Sequence, residues 1–177
     1  MLIREALDSD LDCILSVERA AFGSDDEANL VTALIGDASA RPFVSLLAFQ
    51  GERAVGHILF TKARLEPTAP LSVSILAPLA VVPDSQKQGI GGKLIEHGLK
   101  RLTDLGVDLV FVLGYPEYYQ RYGFQPAGNL GFDATYPIPE KNADAWMLLA
   151  LRPDALGAFR GKIVCADALN KPRYWRE

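Results

Sequence analysis

The chain has 177 residues, of which 49% are hydrophobic and 23% charged, and its formal net charge is −4. That length predicts one compact domain with a substantial core, and the apolar share excludes a disordered or fibrous protein. The 18 Lys and Arg against 22 Asp and Glu argue against a nucleic-acid partner, because proteins bind the phosphate backbone through a basic excess.

The sequence also argues against a membrane partner and a metal site. The most apolar stretch, residues 71–82, is far shorter than the ~20 residues of a membrane-spanning helix. The N-terminal residues carry charge early and lack the apolar region of a secretory signal. Cys13 and Cys165 by themselves make neither a disulfide framework nor a zinc site. We therefore expect a soluble cytoplasmic protein without a metal.

The first half of the chain predicts two helices and an antiparallel hairpin. Residues 2–4 suit a short strand, and apolar residues at helical spacing, ending with Phe22, predict a first helix. A second helix is expected over residues 25–35, where three acidic residues suit its positive N-terminal end. Residues 43–50 and 54–64 are β-rich, and the short break between them predicts a hairpin.

The second half predicts a strand–helix–strand unit. Residues 73–82 form a nearly continuous apolar run, as in a strand buried on both faces, and a helix follows over residues 89–105. Residues 109–113 form the next apolar strand, and such short connections predict that the two strands are parallel. A short helix at 116–122 and a strand at 145–151 complete the pattern of one mixed α/β domain.

The segment between the two predicted parallel strands carries the chemical information. Residues 81–94 read VVPDSQKQGIGGKL, in which a buried strand ends, a polar loop with glycines follows and an amphipathic helix begins. Glycines let backbone N–H groups converge, and a helix N-terminus adds partial positive charge, so the loop suits phosphate oxygens. An ordinary strand-to-helix turn stays open as the alternative, because glycines are common there.

Glycine spacing excludes two familiar phosphate sites. A Walker A loop, G-x-x-x-x-G-K-[ST], is excluded because Leu94 replaces the hydroxyl residue and Lys87 stands at the first glycine. A dinucleotide fingerprint, G-x-G-x-x-G, is excluded because Leu94 also takes the place of the third glycine. The pattern Q-x-x-G-x-G remains, formed by Gln86, Gly89 and Gly91.

With this pattern the sequence resembles the GNAT superfamily of acyl-CoA-dependent N-acyltransferases. The stretch LAVVPDSQKQGIGGKLI, residues 79–95, is similar to the pyrophosphate-binding loop of the family, Q/R-x-x-G-x-G/A. The stretch YYQRYGF, residues 118–124, resembles the YxxxGF segment that follows the next strand in these enzymes. Both look most like the YhbS type of predicted N-acetyltransferase, and the order of elements agrees over about residues 1–150.

The resemblance implies a GNAT fold, with a mixed central sheet, splayed central parallel strands and flanking helices. It implies an N-acetyltransferase that moves an acetyl group from acetyl-CoA to an amine by direct attack in a ternary complex. The acceptor would be a small-molecule or peptide amine. A non-catalytic acyl-CoA-binding or protein-interaction module on the same fold stays open. The residues implied in cofactor binding are Leu79, Val81, Gln86, Lys87, Gln88, Gly89, Ile90, Gly91 and Gly92.

The same resemblance implies catalytic residues. Tyr119 stands four residues before Gly123, where the family often has a general acid for the departing thiolate, although a tyrosine that only packs is the open alternative. The general base is less specified, because its position varies in the family. The candidates are Glu27, which we carry forward, and Asp26, His57 and Ser74. A structural role is the stronger interpretation of His57. Gly114 stands where many relatives have an asparagine.

We expect residues 1–151 to form the GNAT domain and residues 152–177, which lack periodicity, to be a C-terminal extension packed on it. The extension either closes the acceptor side or makes a homodimer contact. Charge is unevenly distributed: residues 86–101 carry four Lys and Arg against one Glu, and residues 5–27 carry eight Asp and Glu against one Arg. This distribution favours an anionic ligand at the loop and a cationic acceptor.

Overall fold

The computed structural model describes residues 1–176, which form a nine-stranded mixed sheet with helices on both faces. The strands are β1 (Leu2–Glu5), β2 (Val44–Gln50), β3 (Arg53–Glu66), β4 (Val73–Val81), β5 (Leu109–Leu113), β6 (Gln125–Pro126), β7 (Phe132–Asp133), β8 (Trp146–Ala150) and β9 (Gly161–Val164). The helices are α1 (Leu11–Phe22), α2 (Asp26–Ile35), α3 (Ile90–Asp104) and α4 (Pro116–Tyr119), and short 3-10 turns connect several elements.

The strand order confirms the predicted hairpin and the predicted parallel unit. The main path is β1-β2-β3-β4-β5-β8-β6, with β9 pairing with the end of β3 and with β7. Strands β2 and β3 are antiparallel, whereas β4 and β5 run parallel from the Val73–Leu109 pair to the Leu76–Val112 pair. Helix α3 supplies the crossover between them.

Side-chain alternation along β3 divides the core between the two faces of the sheet. Ile58 and Phe60 face α3 and pack with its buried residues Leu94 and Ile95. Leu59 faces the other way and belongs to the cluster that contains most of the buried residues of α2. This arrangement follows from the period of two in a strand and the apolar stripe of each helix. The buried side chains of the helices thereby hold them on the two faces of the sheet.

The central strands separate because their pairing stops before β4 ends. Strand β4 continues for five residues after its last pair with β5, at Leu76. Within residues 1–176, the edge of residues 77–81 that faces β5 therefore has no strand partner. A bulge in the β3–β4 register falls at the same place, since Ile58 pairs with Leu79 but Phe60 pairs with Leu76. Pro78 lies within the bulge and lacks an N–H group for a ladder. The predicted splay of the two parallel strands is confirmed.

The C-terminal segment contains a strand that the sequence did not predict. Strand β9 pairs antiparallel with the end of β3, from Arg64–Val164 to Glu66–Lys162, and parallel with the two-residue strand β7. The side chain of Trp175 is buried, and its indole N–H donates to the Leu169 carbonyl oxygen at 3.0 Å. Residue 177 of the predicted extension lies outside the described part of the chain.

Candidate active site

A cleft of about 1220 Å³ opens between the splayed strands, the first turn of α3, the α4 segment and the loop over residues 141–145. Its floor comes from the ends of the two parallel strands, including Leu76 and Val112. This volume exceeds the roughly 300–1,000 Å³ of typical ligand sites, so the cleft has room for a large ligand. The sequence-predicted glycine loop and the sequence-predicted tyrosine segment both line this cleft.

The loop before α3 presents a run of backbone donors without protein acceptors. The N–H groups of residues 87–92 donate to no acceptor among the described residues, and the first helical bond runs from Lys93 N–H to the Gly89 carbonyl oxygen at 3.1 Å. Lys87 and Gly89 have positive φ angles of 64° and 81°, which turn successive peptides into the loop. Such a concave set of donors, at the positive end of a 15-residue helix, suits an anion.

Strand β4 presents main-chain groups to the cleft from the opposite side. The N–H of Val82 donates to the Val55 carbonyl oxygen of β3 at 2.9 Å. Because successive N–H groups of an extended strand point to opposite edges, those of Leu79 and Val81 face away from β3 and into the gap. The side-chain amide of Gln86 donates to the Val81 carbonyl oxygen at 2.9 Å and so ties the loop to the strand.

Eight of the nine residues predicted to bind the cofactor line the cleft, and Gln88 does not. The Gln88 side chain instead accepts a hydrogen bond from the Gln50 side chain at 3.1 Å and donates to the Asp84 carbonyl oxygen. The side chain of Gln86 is engaged by Val81, so its direct role is to hold the loop.

Tyr119 lies in the cleft wall with its ring buried. The ring is 8% exposed and makes edge contacts with Phe124 at 5.6 Å and with Tyr118 at 5.1 Å between centroids. Its hydroxyl makes no hydrogen bond to the described residues. The hydroxyl is also not fully enclosed by protein, so it is open to the cleft. Burial, with a smaller contribution from Tyr118, raises the pKa of Tyr119 well above its usual value. The phenol is therefore a protonated donor at neutral pH.

Of the four base candidates, only Glu27 lines the cleft. Its side chain is half-buried at the start of α2 and accepts a weak hydrogen bond from the Ser24 hydroxyl at 3.4 Å. Asp26 is exposed outside the cleft, whereas Ser74 and His57 are buried within the sheet.

His57 belongs to a buried polar chain that joins α1, β3 and β2. One ring nitrogen, Nδ1, lies 2.7 Å from Oε2 of Glu18 on α1, and the other, Nε2, lies 2.9 Å from the Ser45 hydroxyl. Glu18 and His57 are both fully buried, and Oε1 of Glu18 has no hydrogen-bond partner among the described residues. Burial raises the pKa of the Glu18 carboxyl, and its contact with His57 opposes that shift. The structural interpretation of His57 agrees with this environment.

Comparison with known proteins places the chain in a family. Residues 2–127 match the family model described as an acetyltransferase (GNAT) domain. The chain belongs to the GNAT acetyltransferase family. It is 49% identical over 162 residues to the Escherichia coli K12 protein named uncharacterized N-acetyltransferase YjhQ, covering 90% of this chain and 88% of that protein.

Solved structures of other GNAT proteins share the fold over nearly the whole chain. The E. coli N-acetyltransferase YhbS, solved in complex with CoA, superposes with a TM-score of 0.87 at 29% identity, covering 96% of this chain and 92% of that one. A GNAT acetyltransferase from Brucella melitensis, solved with acetyl-CoA, gives a TM-score of 0.76 at 29% identity, covering 95% and 97% of the two chains. The mixed sheet with its splayed strands is therefore the GNAT fold.

The charged residues that line the cleft of this GNAT protein are fewer than the distribution of charge along the sequence predicted. Much of the acidic N-terminal cluster is paired: Asp10 with Arg4, Asp25 with Arg19, Glu18 with His57, and Glu5 with Arg101. The charged residues that line the cleft are Glu27, Lys87, Arg121, Lys141 and Asp144. Of the acidic residues in the cluster, Glu27 is the one that lines the cleft.

Sequence reasoning missed several side chains of the GNAT cleft. Phe22, assigned to the buried face of the first helix, is 45% exposed and lines the cleft. Lys141 and Asp144 line it from a segment that belongs to no motif. Residues 1–176 contain no helix long and apolar enough to span a membrane. Within the same residues, no group of three or more His, Cys, Asp or Glu side chains is placed to hold a metal ion.

Proposed function

We propose that this GNAT protein binds acetyl-CoA in the cleft and transfers its acetyl group to an amine in a ternary complex. The observation that carries the proposal is the run of unpaired N–H donors at residues 87–92, which opens onto the gap between β4 and β5. An anionic diphosphate matches these donors, and an amide-containing arm matches the free strand edge of β4.

The residues present fit the groups of acetyl-CoA. The loop N–H groups and Lys87 would hold the diphosphate, and the main-chain groups of Leu79 and Val81 would pair with the pantetheine arm. The relatives solved with CoA or acetyl-CoA support this placement, because they share the fold over almost the whole chain. The thioester of the bound cofactor supplies an activated acetyl group. This chain has to supply orientation and to move two protons.

Acetyl transfer forms a carbon–nitrogen bond and breaks a carbon–sulfur bond. The acceptor nitrogen must therefore lose a proton, and the departing sulfur must gain one. Tyr119 would give its phenolic proton to the sulfur, since its raised pKa keeps it protonated and its hydroxyl has no competing partner among residues 1–176. Glu27 would take the proton of the amine, directly or through water, because it is the base candidate that lines the cleft. The N–H of Leu79, which faces the gap, would donate to the carbonyl oxygen of the acetyl group.

Two measurements test the proposal. CoA at 100 times its Kd should raise the melting temperature by about 5–10 °C, because a ligand of the native state stabilises it by mass action. Release of free thiol from acetyl-CoA should then depend on an added amine across a panel of acceptors. Absence of a thermal shift contradicts the cofactor assignment. CoA binding without amine-dependent thiol release would instead indicate a non-catalytic acyl-CoA-binding module.

A further inference from the structure

Two tyrosine hydroxyls stand against the first turn of α3, beside the unpaired N–H groups. A β-carbon at Gly91 would overlap the Tyr118 hydroxyl, and one at Gly92 would overlap the Tyr122 hydroxyl. Both tyrosines are half-buried and line the cleft, with their ring centroids 5.5 Å apart. Two consecutive glycines at the start of a helix thus admit two phenol oxygens.

The position of these hydroxyls places them next to any anion held by the helix. The Cα–Cβ direction in a helix tilts toward its N-terminus, so atoms at the β-carbon positions of Gly91 and Gly92 lie beside the free N–H groups. Among the described residues, neither hydroxyl accepts a hydrogen bond from these N–H groups, and no other group does. The hydroxyls and the N–H groups therefore all have protons to donate to a ligand at the start of α3.

Protonation favours the same role. Burial, with a smaller effect of the neighbouring Tyr122, raises the pKa of Tyr118 to about 12. The Tyr118 hydroxyl is then a neutral donor near pH 7. The Arg121 guanidinium lies 5.9 Å from the Tyr118 ring centroid and adds a positive charge on this wall.

We propose that Tyr118 and Tyr122 are cofactor-binding residues whose hydroxyls donate hydrogen bonds to the diphosphate oxygens of acetyl-CoA. This inference rests on the proposed function, because it takes the N-terminus of α3 as the diphosphate site. It assigns part of the anion recognition to side chains of the tyrosine segment rather than to the glycine loop alone. The two glycines then serve to bring these hydroxyls close to the helix.

The test compares ligands with and without the diphosphate. In the variant Tyr118→Phe/Tyr122→Phe the rings stay and only the oxygens are lost, so we expect the Kd values of CoA and of inorganic pyrophosphate to rise about 10–100-fold. The Kd of S-acetylpantetheine, which lacks the diphosphate, should stay unchanged. Tyr136→Phe is the matched control, because its hydroxyl bonds to the Asn170 carbonyl oxygen and the residue lies outside the cleft.

The outcomes separate this inference from the proposed function. If the unmodified protein does not bind CoA, the proposed function fails and the inference fails with it. If it binds CoA and the double variant binds CoA equally well or more tightly, only the inference is overturned. An equal loss for CoA and S-acetylpantetheine would also overturn it, since the tyrosines would then shape the cleft as a whole. The single variants Tyr118→Phe and Tyr122→Phe supply the same comparison if the double variant does not fold.

Discussion

The ring of Tyr119 packs on the main chain of Gly114, in space that any β-carbon at position 114 would occupy. Gly114 follows β5 directly, and its N–H donates to the Ala145 carbonyl oxygen at 3.0 Å, so the main chain under the ring is fixed. Here the glycine makes room for the tyrosine ring, and the position of the phenol depends on it.

Gly114→Ala should therefore lower kcat by displacing Tyr119. We expect a loss of about 10–100-fold, because a shift of about 1 Å in a catalytic group can cost that much. The KM for acetyl-CoA should change by less than about two-fold, since the glycine loop is untouched. In a Tyr119→Phe background the added Gly114→Ala change should have little further effect on kcat. Additive losses would show that Gly114 acts independently of Tyr119.

Tyr119→Phe should lower kcat while leaving the fold intact. The hydroxyl has no partner among the described residues, so its removal should leave the melting temperature nearly unchanged. The loss in kcat should be about 10–100-fold, the lower range of general acid catalysis. Because the pKa of Tyr119 is raised, the unmodified enzyme should show no loss of activity from its ionisation up to pH 9. A pH profile of kcat for both proteins checks this, and equal kcat values would remove Tyr119 from the mechanism.

Glu27→Gln should lower kcat/KM for the amine by about 10²–10⁴-fold, the usual contribution of a general base. The loss should be greatest at low pH, where the acceptor is fully protonated, and smaller at high pH, where free amine is abundant. Asp26→Asn is the matched control, because Asp26 is adjacent and acidic but lies outside the cleft. Equal effects of the two substitutions would show that the negative charge at the start of α2, and not proton transfer by Glu27, supports activity.

Gln86→Leu should weaken CoA binding through the lost hydrogen bond to the Val81 carbonyl oxygen. One such bond contributes about 1 kcal/mol, so we expect the Kd of CoA to rise about five-fold. Gln88→Leu should have a smaller effect, because the Gln88 side chain bonds to Gln50 and to the Asp84 carbonyl oxygen outside the cleft. Titration calorimetry on both variants measures the difference, and a larger effect at position 88 would contradict the assignment.

Asp10→Asn should reduce the pH dependence of stability. The Arg4 guanidinium donates to both Asp10 oxygens at 2.7 and 3.0 Å, and this contact and the Leu7 N–H lower the Asp10 pKa to about 2. Since the unfolded pKa is about 3.9, the stabilisation is present above that pH and is lost as the pH falls through 2. We expect a loss of about 1 kcal/mol at pH 7, because the Arg4 side chain is 36% exposed.

Urea titrations at pH 7 and at pH 2.5 measure this effect. The gap in unfolding free energy between Asp10→Asn and the unmodified protein should be smaller at pH 2.5. Asp25→Asn is the control, because its pair with Arg19 is exposed on both sides, at 52% and 72%. A gap of the same size at both pH values would contradict the pKa assignment of Asp10.

Local patterns in the sequence were enough to predict the central unit but not the long-range contacts. Three features depend only on neighbouring residues, so their order could be predicted from the sequence. They are the apolar run ending at Val82, the glycine loop and the apolar stripe of α3. The pairing of His57 with Glu18 joins residues 39 positions apart, and no local pattern reports it. Strand β9 has only four residues, which is too short to show a period.

The cleft was predicted in part for the same reason. The glycine loop has a motif, so eight of the nine residues predicted from it line the cleft. The contacts of Tyr118 and Tyr122 with Gly91 and Gly92 depend on how the α4 segment folds back onto α3. Phe22 was assigned to the apolar face of the first helix, because helical spacing shows which residues share a face but not what covers the end of that face.

The pairing of β9 with β3 affects how the chain folds as it is synthesised. Residue 64 pairs with residue 164, so the edge of β3 at Arg64–Glu66 leaves the ribosome long before its partner does. Until then that edge exposes unpaired N–H and C=O groups, which can pair with other chains. We therefore expect nascent chains stalled before residue 160 to need protection from aggregation, although they already contain the glycine loop and the tyrosine segment.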